Sequence, residues 1–82
     1  MIDEMVAEGF EAAAKTYGAD RTQPHHHDYD VCLHIVEGEF KLDEVAAGKV
    51  HSFGPGDRVF VSRGIRHAEE HGPLRMIVGR RH

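Results

Sequence analysis

Tryptophan is absent from this 82-residue chain, cysteine occurs once and proline three times. With Cys32 alone there is no internal disulfide. A lone thiol fits a reducing compartment, so a cytoplasmic location is expected, with Cys32 as a buried inert thiol. An excess of positive charge is missing too. Ten Lys and Arg stand against 14 Asp and Glu, a net charge of −4 and a pI near 6.0. That balance and an aromatic content of only 7% exclude a nucleic-acid binder, and the charge also disfavours an anionic membrane as partner. No apolar stretch approaches the length of a membrane span, and no basic-then-apolar leader opens the chain. Length is short as well: 82 residues leave room for one domain, 1–82.

What is abundant is histidine. The chain carries His25, His26, His27, His34, His51, His67, His71 and His82. Its 40% apolar and 29% charged residues are an ordinary globular balance. A domain of this size buries only about 60–65% of its unfolded surface, so its core is marginal. Small domains without disulfides lean on a metal, a partner subunit or both. Composition alone therefore favours a metal site or a dimer, and a homodimer is expected.

Hydrophobic patterning gives one short helix and then strands. Ile2 to Glu8 reads as the helix, with Asp3 and Glu4 suited to its N-terminus and Gly9 as its stop. A rival helix continues through the alanines to Gly18, but a break at Gly9 with a strand from Ala12 to Gly18 is preferred. Ala19 to Pro24 reads as polar turn. The clearest strand is Val31 to Glu37, where Val31, Leu33 and Ile35 alternate with Cys32, His34 and Val36. Further strands are expected at Glu39 to Leu42, Lys49 to Phe53, Arg58 to Ser62, Arg66 to Glu70 and Leu74 to Gly79. Turns at 43–48, 54–57, 63–65 and 71–73 separate them. Many short strands and no crossover helices mean an all-β barrel or sandwich.

His25 and His27 lie two apart, and on an extended chain alternate residues share a side. Both imidazoles can then reach one ion at about 2.0–2.1 Å, while His26 points away. A third ligand must come from elsewhere. His67, just after the "SRGIR" turn, is the best placed. Taken alone, the spacing leaves this reading and a solvated histidine loop about equally open.

The segment "HHHDYDVCLHIVEGEF" resembles the first motif of the cupin family: His-x-His, a Glu after three or four residues, and a Gly after six more. His25, His27 and Gly38 match, but Val31 occupies the Glu position. The segment "GDRVFVSRGIRHAEEH" resembles the second motif through Gly56, Gly64 and His67. Ser62 stands for its Pro and His71 for its Asn. The resemblance covers residues 25–71 and implies an all-β, cupin-like jelly-roll β-barrel with a metal pocket in its mouth. It implies one divalent ion on His25, His27 and His67, with Fe, Ni, Zn and Cu all suited to imidazole.

Val31 in place of Glu leaves a neutral ligand set. A divalent ion there keeps its full charge and suits anions and carbonyl or enolate oxygens. Three-histidine oxygenases exist in the family, but a decayed site is the other meaning of Val31. Among possible replacements, Tyr29 shares the parity of His27 and His71 that of His67. Both are expected as proton-handling residues, His71 also as a fourth ligand. Glu69 shares the parity of His67 but ranks lower, as a surface carboxylate, and Asp30 has the wrong alternation. His34 is expected on a face packed against a second sheet or subunit, His51 and His82 at the surface, and Arg80 and Arg81 in a solvated basic tail. The functional expectation is a small metal-binding cupin, either a metal-dependent oxygenase or a Lewis-acid enzyme acting on a small anionic or enolisable molecule. The alternative is a non-catalytic small-molecule-binding or sensor module.

Overall fold

The computed structural model describes residues 2–82. One helix, α1 (Ile2–Ala7), precedes eight strands: β1 (Glu11–Tyr17), β2 (Asp20–Arg21), β3 (Asp30–Glu37), β4 (Phe40–Glu44), β5 (Lys49–Phe53), β6 (Arg58–Val61), β7 (His67–His71) and β8 (Leu74–Arg81). The helix stops where expected. Gly9 takes φ +91°, Gly9 N donates to Val6 O at 3.0 Å and Phe10 N to Met5 O at 2.9 Å. Those two bonds and the Met5–Phe10 contact they enforce form a Schellman C-cap.

The strands form two four-stranded antiparallel sheets, ordered β1-β8-β3-β6 and β2-β7-β4-β5. A single closed barrel was expected. Among the described residues, no ladder joins one sheet to the other, so the architecture is two sheets packed on each other. The sequence reading also missed β2. Asp20 and Arg21 are exposed and polar and carry no alternation signal. They form a strand only because β7 offers them backbone partners, Asp20 to His71 and Arg21 to Glu70.

Alternation decides the core. Leu33 and Ile35 of β3, Val59 and Val61 of β6, and Leu74, Met76 and Val78 of β8 point inward to meet Phe40 and Leu42 of β4. Each such side chain contributes about 1.5–3 kcal/mol through burial. The opposite face of β3 does not meet the second sheet. Cys32 is covered instead by Met5 and Phe10, folded back across the first sheet. This close approach depends on Gly79, where a Cβ would lie 3.1 Å from Phe10 and 3.2 Å from Met5. Cys32 is buried, as expected, and accepts a contact from Arg58 Nε at 3.1 Å.

The basic tail is not simply solvated. Arg81 Nη2 donates to Asp30 Oδ2 at 3.0 Å, its Nη1 donates to Glu8 O at 3.0 Å, and its guanidinium sits 4.5 Å from the Phe10 ring centroid. It therefore clasps the end of the helix to the start of β3. Asp30 also accepts from Arg63 N at 2.9 Å. The Arg63 backbone bond first, and then the Arg81 bond, hold its carboxyl well below the usual range, at about 2.

Gly38 sits at φ +95°, and a Cβ there would lie 2.5 Å from the Pro73 carbonyl oxygen. Gly38→Ala is expected to cost at least about 2 kcal/mol, from left-handed strain plus a backbone clash, read as a lower urea midpoint. Asp30 binds protons less readily folded than unfolded. Its stabilisation is therefore complete above about 3.8 and is lost as the pH falls toward about 2. Melting temperature should drop across that window in the parent, and Asp30→Asn should flatten the drop.

Candidate metal centre

The apolar core fills only part of the space between the sheets. On the β2–β7 side the inward positions are polar, and a cavity of about 220 Å³ remains. Its floor is Val31, Leu33, Met76 and Val78, and its polar wall includes His25, His27, Tyr29, Glu69, His71 and Arg80.

The segment after β2 keeps running beside β7. Thr22 N donates to Glu69 O at 2.9 Å, and Glu69 N donates to Thr22 Oγ1 at 2.9 Å. Further along, His25 N donates to His67 O at 2.9 Å and His67 N to His25 O at 2.8 Å. Between these contacts the register slips by one residue. Pro24, which has no N–H to pair, lies in that slip. Gly64 N then donates to His27 O at 2.8 Å, which fixes the far end of the histidine run.

This stitching gathers three rings. Centroids lie 4.5 Å apart for His25 and His67, 4.9 Å for His25 and His27, and 5.4 Å for His27 and His67. One nitrogen from each lies within 4.8 Å of the others. His67 is buried, 2% exposed, and His25 and His27 are half-buried. His26 is exposed and outside the group, as alternation predicts.

The tautomers follow from the partners. His25 Nδ1 lies 2.8 Å from Gln23 O and His67 Nδ1 lies 2.9 Å from Ile65 O. A carbonyl only accepts, so each Nδ1 carries the proton and each Nε2 presents its lone pair. A carbonyl behind the ring is also the arrangement that orients metal-bound histidine. His27 has its pKa pushed below the ordinary 6.5, first by burial and then by the neighbouring His25 and His67. It is therefore uncharged at neutral pH, as a ligand must be. This donor set fits a divalent ion of the imidazole-binding group: Zn, Fe, Ni or Cu.

The other expected residues lie around this cluster. Tyr29 stacks on His27 with centroids 4.9 Å apart at 22°, and meets the His82 ring at 4.8 Å. His71 lines the cavity but stands outside the three-histidine group. Its Nδ1 donates to Gly72 O at 2.8 Å, and its ring packs on Tyr17 and Phe40. Asp30 is committed to Arg63 and Arg81. Val31 faces the cavity from the motif's Glu position. Two residues were undervalued. Glu69 reaches to 3.5 Å from His67 Nε2, a position its parity with His67 signals. Arg80 lines the cavity with its guanidinium 5.6 Å from the Tyr29 ring centroid, two positions beyond the inward-facing Val78. His51, expected at the surface, is half-exposed beside Glu44 at 3.0 Å.

Paired sheets with a histidine cluster in the cavity between them define a cupin. The cupin domain model matches residues 16–78, and the chain belongs to that family. No curated protein matches it. Among solved structures it is similar to the polyketide cyclase RemF from Streptomyces resistomycificus, at 27% identity and a TM-score of 0.73. That match covers 87% of this chain but 53% of the cyclase, so the chain spans about half of that protein. A cupin-2 domain protein from Shewanella frigidimarina matches at 12% identity and a TM-score of 0.74, over 87% of this chain and 69% of the other. The Clostridium difficile EutQ protein matches at 13% identity and a TM-score of 0.76, over 99% and 61%. The last two likenesses concern the fold alone.

Because His25 and His67 depress the pKa of His27 after burial does, removing one imidazole relieves part of the shift. In a metal-free NMR titration, His27 should titrate below 6.5 in the parent and move upward in His25→Ala.

Proposed function

We propose that this cupin binds one divalent metal ion through Nε2 of His25, Nε2 of His67 and a ring nitrogen of His27, and uses it on a small anionic or enolisable molecule. The observation that carries this reading is the pair of carbonyl-anchored tautomers beside an uncharged His27, which aims free lone pairs into one cavity. The ion supplies Lewis acidity toward a carbonyl, carboxylate or enolate oxygen when bound.

The chain's own residues do the rest. Val31, Leu33, Met76 and Val78 form a dry floor for the apolar part of the molecule. Arg80 at the wall attracts a negative group. Tyr29, held between His27 and Arg80, donates a hydrogen bond or passes a proton. His71 offers Nε2 as a second proton carrier, since its Nδ1 is engaged with Gly72. The similarity to a polyketide cyclase favours Lewis-acid handling of an enolisable carbonyl over oxygen activation. The reading includes a homodimer, for which the exposed Phe60 on the outside of the first sheet (53% exposed) offers an apolar contact.

Elemental analysis of the untagged protein tests the core of this proposal. The expected result is close to one metal per chain, lost in His25→Ala/His67→Ala. Binding of small enolisable ligands without turnover would favour the sensor reading. No uptake of Fe(II), Ni(II) or Zn(II) would mean that Val31 marks a dead site.

A further inference from the structure

We infer that Glu69 is a fourth protein ligand to the ion, doing from β7 what the motif's Glu would do from the Val31 position. The inference rests on the metal reading above and adds a residue to it.

Geometry is the first argument. Glu69 follows His67 by two on β7, so both side chains leave the strand on the same side. Its Oε1 lies 3.5 Å from His67 Nε2, the nitrogen left free by the Nδ1–Ile65 bond. With Nδ1 turned to Ile65 O, Nε2 and the carboxylate oxygen lie close enough to serve one ion as neighbouring ligands. Among the described residues, no Lys or Arg forms an ion pair with Glu69; its partner is His67. The backbone of Glu69 is held in place by two bonds to Thr22, and its carboxylate, which stands outside the three-histidine group, reaches a shared ion by turning about its own side-chain bonds.

Charge is the second argument. Three neutral imidazoles would leave a double positive charge over a floor of Val31, Leu33, Met76 and Val78. An uncompensated ion in such surroundings is costly. One carboxylate removes half of that charge. The same cavity contains Arg80, which an uncompensated ion would repel and a singly charged centre repels less.

Untagged, metal-stripped protein titrated with Co(II) tests this, followed by calorimetry and by the visible d–d absorption. Glu69→Gln should weaken binding by at least about tenfold and change the absorption band. Glu70→Gln removes the same charge from the exposed side of the strand and should leave both as in the parent. Parent-like affinity in Glu69→Gln, with binding abolished in His67→Ala, would overturn the Glu69 assignment and leave the three-histidine site standing. Weaker binding with an unaltered band, or an equal loss in Glu70→Gln, would reduce Glu69 to a nearby charge and overturn its role as ligand. No Co(II) uptake by the parent would overturn the metal reading itself, and this inference with it.

Discussion

The two backbone hydrogen bonds exchanged by His25 and His67 are the constraint on which the rest of the site depends. These residues are 42 positions apart in the chain, yet the pair sets them opposite each other as in an antiparallel ladder. Once it forms, the directions of both side chains follow from the pleat. The Gly64–His27 bond then fixes the next turn of the same segment. No imidazole has to be held in place by its own flexibility. Each ring hangs from a backbone that the sheet has already ordered, and two of them are locked again by carbonyls behind the ring.

The two sheets divide their shared space unequally. β4 contributes Phe40 and Leu42, and the space beneath it is filled. β7 contributes His67, Glu69 and His71 at the matching inward positions, and the space beneath it stays open. One sheet therefore supplies both a core and a cavity, according to whether its inward residues are apolar or polar. The apolar residues of β3 and β8 serve both halves, since Leu33, Met76 and Val78 belong to the core and also floor the cavity. A small domain gains by this economy, because it has few large side chains to spend on separate tasks.

The edges of the domain show the same economy. Arg81 joins the helix end, the Phe10 ring and Asp30 in one cluster, and Arg63 fastens the same carboxylate to the β6–β7 turn. That turn carries Gly64, which anchors His27. The clasp on the outside and the histidine cluster on the inside thus share one loop.

Local patterning made much of this legible in advance. Alternation located β3, and turn signals located β5, β6 and β8, to within a residue or two, because these properties are set by neighbours along the chain. The glycine after Glu8 marked the helix end, because left-handed φ there suits glycine alone. The spacing of His25 and His27, with the turn before His67, nominated the three residues that the fold brings together. Other features lay beyond local pattern. β2 is polar and exists through partners 51 and 49 positions away. Arg81 reads as a solvated tail until the helix folds over the first sheet. Asp30 reads as a surface acid until Arg63 of the β6–β7 turn and Arg81 of β8 close on it. Glu69 and Arg80 had the right parity, but parity cannot say whether a strand faces a filled or an empty space. The sequence by itself determined which residues alternate, where the chain turns and which side chains are of a metal-ligating type, because those are properties of the residues and their neighbours along the chain. Only the tertiary structure decided that two sheets pack without closing and that one polar strand leaves a cavity. It also decided which charges meet inside, because those depend on what stands across the gap.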